Sequence, residues 1–341
     1  MVKSPPYGDT YGRSLAHIGK LYAKEGFISV YDQRSSEAVA IAEYEVINTL
    51  TSELCRNGSF RGLLPVVDKL TLHEIDGVKY LQLTTLRGDV DMDTWMSEIE
   101  NDKTVHSNKL PIGQVLKGLA DVANVVQTLN NLGWVHMDIQ SKNIIFTWNK
   151  SGEVKFSLID FDRARKTHDV FKGDESLRHF VPSASLWLPF NDFIIVDELR
   201  GYERSVESYE LMSNAYKTTH NKETFWLNEL DNVNTNDYAE DTFHPYYAEI
   251  VAPKIDVYSL MLLLAELLLG PREEGDARIP ETWIAETARN FANLAYVAGD
   301  EQIAKTIIDY IHGNLHTFNP KRRPSAAAFA RNCELWSSRV R

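Results

Sequence analysis

The sequence has little of three things that mark other classes of protein. Of its 341 residues only two are cysteines, Cys55 and Cys333, which excludes a disulfide framework and a multi-thiolate zinc site and fits a reducing compartment. Its longest apolar run, 260–269, is too short to cross a bilayer and contains Glu266. Positive charge is also scarce, because the chain has 36 basic residues and 48 acidic ones. A surface built mainly to bind nucleic acid, which needs clustered lysine and arginine, is therefore not expected.

The first ten residues, MVKSPPYGDT, contain no apolar segment of the kind found in a signal peptide. We therefore expect a protein of the cytosol or nucleus that does not bind membranes. What the composition does contain is typical of a globular chain, with 43% hydrophobic and 25% charged residues. The length allows one large two-lobed domain or two small domains.

The most informative stretch lies between residues 133 and 162. It contains Asp138 and Asn143 within the order H-x-D-x-x-x-x-N, and a hydrophobic strand pattern further on ends at Asp160. Metal-assisted phosphoryl transfer needs this set of side chains. The first aspartate faces the attacking hydroxyl, while the asparagine and the second aspartate hold Mg²⁺ against the phosphates. The sequence therefore predicts phosphoryl transfer assisted by Mg²⁺.

This order of residues resembles the catalytic loop and metal-binding strand of the protein kinase superfamily. The resemblance implies a transferase that uses ATP. An amphipathic helix predicted over 113–132 leads into the loop, as in that family. Later, Asp256 lies in IDVYSL just before a buried-helix pattern, and Arg323 lies in NPKRRPS; both segments resemble motifs of the large kinase lobe. The resemblance implies that Asp256 caps the backbone of the catalytic loop from below.

The resemblance implies an α+β bilobal fold. Residues 1–86 would form a small β-rich N-lobe, and residues 87–341 a large, mainly helical C-lobe. The activation segment would carry a long insertion, at about 167–241.

The resemblance also implies roles for the central residues. Asp138 would orient the acceptor hydroxyl, and Asn143 and Asp160 would hold the metal ions. Gln140 stands where Ser/Thr kinases have a lysine that contacts the transferred phosphate. Lys142, two positions further on, is the candidate to replace it.

The start of the chain matches the family less well. Gly8 and Gly12 would form a degraded glycine-rich phosphate loop. The family's spacing, counted from Gly12, puts Ser29, in a strand predicted at 27–32, where kinases have the lysine that pairs with the α- and β-phosphates. Lys24, predicted in a turn, is a substitute cation for the nucleotide.

The remaining nucleotide contacts are also implied by position. The helix predicted over 35–50 carries Glu43, and second to it Glu45, as the glutamate that would grip the lysine. Thr84 and Leu86 would belong to the hinge that binds adenine through backbone groups.

Three functions stay open at this level. The first is a serine/threonine-protein kinase with a protein substrate, which the segments around Asp256 and Arg323 favour. The second is a pseudokinase that binds a regulatory partner, which Ser29 in place of the lysine favours. The third is a kinase-like small-molecule phosphotransferase, because Asp162 replaces the glycine of Asp-Phe-Gly and Asp-Phe-Asp occurs in such enzymes.

Overall fold

The fold is α+β and kinase-like, with two lobes: small β-sheets lead into a mainly helical second part. The computed structural model describes residues 21–24, 33–56, 61–64, 71–75, 78–84, 88–101, 108–168, 247–271, 280–289, 294–316 and 322–340. The predicted boundary between residues 86 and 87 stays a prediction. The predicted insertion at 167–241 lies almost wholly outside the described residues, as do Gly8, Gly12, Ser29 and Leu86.

The strands are β1 (Leu21–Lys24), β2 (Gly62–Leu63), β3 (Thr71–Ile75), β4 (Val78–Thr84), β5 (Val90–Asp91), β6 (Leu110–Pro111), β7 (Trp134–Val135), β8 (Ile144–Trp148), β9 (Val154–Leu158), β10 (Arg165–Lys166) and β11 (Val297–Ala298). The helices are α1 (Gln33–Arg56), α2 (Met92–Glu100), α3 (Ile112–Asn131), α4 (Ile255–Leu269), α5 (Pro280–Arg289), α6 (Glu301–Asn314) and α7 (Ala326–Ser337).

The first sheet has the order β1-β4-β3, with antiparallel neighbours. Strand β1 pairs with β4 so that Lys24 stands opposite Leu81 and Leu21 opposite Thr84. The turn predicted at Lys24 is therefore wrong, because this residue ends a strand. Helix α1 comes next among the described elements and confirms the helix predicted over 35–50, which it extends at both ends.

The second sheet, of order β2-β9-β8-β5, positions the central motif. Its core is the β8–β9 hairpin, in which Ile144 pairs with Leu158 and Trp148 with Val154. The residue before β8 and the residues after β9 therefore meet at the open end of the hairpin. Asn143 directly precedes β8, and Asp160 lies two residues after the end of β9.

The core of the large lobe lies around α3, which packs against α7, β9 and β2. Gly118 permits the close approach of α3 to β9, because a Cβ atom there would lie 2.4 Å from the Phe156 ring. Helix α4 is buried almost throughout, as its continuous apolar sequence predicts. No helix in the described part of the chain is both long and apolar enough to cross a membrane.

Candidate active site

The loop that follows β7 brings Asp138 and Asn143 together. Asn143 ends a short 3₁₀ turn, Ser141–Asn143, and its side chain is buried. Its Nδ2 atom donates to the backbone oxygen of Asp138 at 2.8 Å and to Oδ2 of the same residue at 2.9 Å. The amide nitrogen thus fixes the orientation of the Asp138 carboxylate, and the amide oxygen of Asn143 takes no part in these bonds.

Asp160 reaches the same place from β9. The backbone N–H of Ile159 donates to the Asn143 carbonyl at 3.0 Å, which continues the hairpin ladder up to the site. Asp160 itself has φ 66° and ψ 67°, a left-handed conformation that is uncommon for a residue other than glycine. Strain of this kind is typical of functional positions. The structure therefore brings Asp138, Asn143 and Asp160 together.

The carboxylate of Asp138 has two further partners. Gln140 donates from Nε2 to Oδ1 at 3.0 Å, and Nη1 of Arg163 lies 3.4 Å from the same oxygen. Burial raises the pKa of Asp138, the charge of Arg163 opposes this, and the nearby charge of Asp160 adds to it. A buried carboxylate with a raised pKa is a stronger base than an exposed one, which suits it to accept a proton.

The backbone of the loop rests on Asp256, at the start of α4. Its Oδ2 accepts from the N–H of His136 at 2.7 Å, and its Oδ1 from the N–H of Met137 at 3.0 Å. Met137 has φ 68°, so these bonds hold a second left-handed residue. Burial raises the pKa of Asp256 to about 6, although the two backbone donors lower it. The capping role that the resemblance implied for Asp256 is thus present in the structure.

His136 joins the two halves of the site. Its ring is fully buried, with Nε2 3.1 Å from the Ile159 carbonyl and Nδ1 accepting from the Asp138 N–H at 3.3 Å. These contacts require the proton on Nε2 and a neutral ring. The ring also packs edge-on against Phe161, with centroids 4.6 Å apart. His136 is therefore a scaffold that couples the loop to the residues around Asp160.

Lys142 is exposed on the 3₁₀ turn, and its predicted contact with the transferred phosphate stays a prediction. The donors that contact the Asp138 side chain come from Gln140, Asn143 and Arg163. Sequence reasoning missed Arg163. The signal was a basic residue directly after Asp-Phe-Asp, in a chain where basic residues are the minority.

Two predicted nucleotide contacts lie in the first sheet and one on α1. Lys24 and Thr84 occupy the neighbouring strands β1 and β4, at opposite ends of their pairing. Glu43 is buried on α1, and its Oε1 accepts from the Phe161 N–H at 3.2 Å. Helix α1 is thereby fixed to the segment that follows Asp160.

Arg323 supports the large lobe away from these groups. The side chain is buried, and Nε donates to the carbonyls of Leu315 and His316 at 3.2 and 3.0 Å. Its guanidinium carbon lies 5.0 Å from the centre of the Tyr258 ring, a cation–π distance. Arg323 thus ties the end of α6 to α4.

Comparison with known families agrees with this geometry. Residues 84–180 match the family model described as "Lipopolysaccharide kinase (Kdo/WaaP) family". No curated protein matches the chain. The matched segment contains Asp138, Asn143, Asp160 and Arg163, whereas the predicted eukaryotic Ser/Thr type gains no support from it. The match and the arrangement of these residues support a place for the chain in the kinase-like superfamily.

Proposed function

We propose that this chain transfers the γ-phosphoryl group of ATP to a hydroxyl of a sugar-type small molecule. One observation carries the proposal: the segment that holds the whole Asp138–Asn143–Asp160 site is the one that matches a family of lipopolysaccharide kinases. The geometry fits transfer to a hydroxyl, because a buried, oriented carboxylate lies beside two oxygen donors for a metal.

The donor set fits Mg²⁺. This ion prefers oxygen ligands and is commonly held by one or two protein side chains together with substrate phosphates. The Asp160 carboxylate and the Asn143 amide oxygen supply such ligands, since Nδ2 of Asn143 is engaged by Asp138. When bound, Mg²⁺ neutralises charge on the phosphates.

The chain's own residues then do the following. Asn143 and Gln140 hold the Asp138 carboxylate, which orients the acceptor hydroxyl and accepts its proton. The acceptor oxygen bonds to the γ-phosphorus while the bond from phosphorus to the β–γ bridging oxygen breaks. The electron pair of that bond leaves with ADP.

We assign to Lys24, rather than to the position of Ser29, the role of the lysine that binds the α- and β-phosphates in kinases. In kinases the strand that carries this lysine precedes the helix that carries its glutamate. Strand β1 has this position, since it pairs with β4 and precedes α1, and its sequence LYAK resembles the V-A-I-K of that strand. Glu43, buried on α1, is its proposed partner.

Lys24→Met should reduce kcat/KM for ATP by about 10²-fold or more, because under this assignment it removes the cation that binds the phosphates. Steady-state kinetics would measure this. Lys79→Met is a matched control on β4, where Lys79 stands opposite Glu74. If Lys24→Met keeps wild-type kinetics, another residue grips the nucleotide.

A protein acceptor is the second candidate. It is favoured by Asp256 and the buried helix α4, which resemble the support of the substrate platform in protein kinases. A pseudokinase that transfers nothing is the third outcome to be tested.

The proposal is tested with the purified full chain, Mg²⁺ and γ-labelled ATP. The acceptors are a lipopolysaccharide core preparation, free sugars and a mixture of generic protein substrates. We expect label on a saccharide acceptor and none with Asp160→Asn. Label on protein serine or threonine instead would establish the second candidate. Absence of transfer to every acceptor, including the chain itself, would contradict both and favour the pseudokinase.

A further inference from the structure

The catalytic loop has no cation at the position where Ser/Thr kinases have one beside the transferred phosphate. Gln140 occupies that position, and its neutral amide donates to Oδ1 of Asp138. Lys142 is exposed on the next turn. Phosphoryl transfer depends on positive groups fixed around the phosphoryl oxygens, so the source of this charge has to be found elsewhere.

Arg163 is the cation that the structure places beside Asp138. Its Nη1 atom lies 3.4 Å from Oδ1, and its side chain is 26% exposed, whereas that of Asp138 is only 5% exposed. Arg163 is thus the partly exposed member of a pair whose carboxylate is buried.

Two anchors hold Arg163 in this place. Before it, the 3₁₀ turn Phe161–Arg163 starts at a buried phenylalanine and is closed by the Ala164 N–H, which donates to the Phe161 carbonyl at 3.0 Å. After it, β10 pairs with β7 so that Arg165 stands opposite Val135. Arg163 therefore lies between a closed turn and a paired strand.

The contact with Asp138 is compatible with a second role for Arg163. A distance of 3.4 Å is longer than the 2.7–2.9 Å typical of a charge-assisted N–H···O bond, and Gln140 and Asn143 hold the same carboxylate more closely. A guanidinium has five N–H donors in a planar fork that matches phosphate geometry. One such side chain can therefore contact Asp138 and a phosphate oxygen together.

We infer that Arg163 supplies the positive charge at the transferred phosphoryl group, in place of the catalytic-loop lysine that Gln140 replaces. The inference rests on the proposed function for the identity of the nucleotide. Under this assignment Arg163 contacts the γ-phosphate and no other phosphate of ATP. A role confined to neutralising Asp138 and Asp160 would instead affect all nucleotides alike.

Calorimetry on the full chain with Mg²⁺ tests the assignment, because AMP-PNP has a γ-phosphate and ADP has none. We expect Arg163→Gln to weaken AMP-PNP binding by about tenfold or more, and to leave the Kd of ADP within about twofold. Arg163→Lys should restore part of the loss. Arg165→Gln, the same change two residues away on β10, should match the wild type.

The sharpest variant is the double change Arg163→Gln with Gln140→Lys, which returns a cation to the catalytic loop. We expect it to regain the preference for AMP-PNP over ADP. Equal weakening of both nucleotides by Arg163→Gln, or no weakening, would overturn the inference. So would loss of the preference in Lys142→Gln, which would assign the charge to Lys142.

Turnover measured in parallel separates this inference from the proposed function. If the wild type transfers no phosphoryl group but prefers AMP-PNP to ADP through Arg163, the proposed function is refuted and the assignment of Arg163 stands. If the Arg163→Gln variant turns over at the wild-type rate, the proposed function stands and the assignment of Arg163 is refuted. A chain that binds neither nucleotide contradicts both.

Discussion

Asp138→Asn should lower kcat by about 10²–10⁴-fold and leave the Kd of ATP nearly unchanged. The asparagine amide cannot accept the hydroxyl proton. Its N–H atoms would also point at neighbours that are themselves hydrogen-bond donors. Asn143 donates to one oxygen of Asp138, while Gln140 and Arg163 face the other, so either orientation of the new amide leaves a conflict between donors. Steady-state turnover and calorimetry on the same preparation measure the two quantities.

Asp309→Asn is the matched control for this change. Asp309 is exposed on α6, where the same substitution leaves every group of the site in place. Thermal unfolding of both variants shows whether the fold persists. Turnover of Asp138→Asn within about tenfold of the wild type would show that Asp138 is not the proton acceptor, since a general base contributes more than about tenfold to the rate.

Asp256→Asn should lower kcat by about 10²-fold although Asp256 touches no substrate. An asparagine can accept from only one of the two N–H groups, those of His136 and Met137, and turns its own N–H toward the other. Met137 then loses the support of its left-handed conformation, and the loop shifts. A displacement of about 1 Å in a catalytic group is enough for a loss of this size.

The same variant should not be strongly destabilised, because two effects oppose each other. The lost bond and the unsatisfied N–H cost about 1–3 kcal/mol each. Against this, the folded protein no longer has to bury the charge of Asp256, whose pKa is raised from 3.8 to about 6. By linkage, a shift of this size corresponds to about 3 kcal/mol.

The direction of the pH dependence follows from that shift. Because the folded protein binds the Asp256 proton more tightly than the unfolded chain does, the stabilisation from this proton is present below pH 3.8 and disappears as pH rises through about 6. The wild type should therefore lose stability between these limits relative to Asp256→Asn. Urea unfolding across this window measures the difference.

Asp300→Asn is the control for the hydrogen bonds of Asp256. Asp300 also accepts from two backbone N–H groups, those of Gln302 and Ile303, but it uses the single oxygen Oδ1 for both. Asparagine can reproduce that arrangement and is a good helix N-cap. We expect no loss of turnover there. Equal turnover in Asp256→Asn and the wild type would mean that the loop does not depend on Asp256.

The helical parts of the fold and the centre of the site could be predicted from the sequence because they are local. The apolar spacing over 113–132 predicted α3 almost to its ends. Asp138, Asn143 and Asp160 lie close in the chain, and one hairpin brings them together. A motif distant in the chain predicted that Asp256 caps the backbone of the catalytic loop, and in the structure Asp256 accepts from the N–H of His136 in that loop.

What the sequence did not identify depends on contacts that a spacing rule does not contain. Counting from Gly12 led to Ser29, with Lys24 as a substitute cation; the pairing of β1, which contains Lys24, with β4 is what supports the proposed assignment to Lys24. Arg163 was missed because it contacts Asp138 from a three-residue 3₁₀ turn, Phe161–Arg163, and so short an element has no periodicity to detect.

The supports of the catalytic loop are directed at backbone atoms. Asp256 binds two peptide N–H groups, and His136 contacts the carbonyl of Ile159 and the N–H of Asp138. Bonds to the main chain do not depend on the side chain at that position. The methionine at position 137, where many kinases have arginine, is an instance. Asp256 can therefore hold the backbone of the loop without fixing which amino acid stands at position 137.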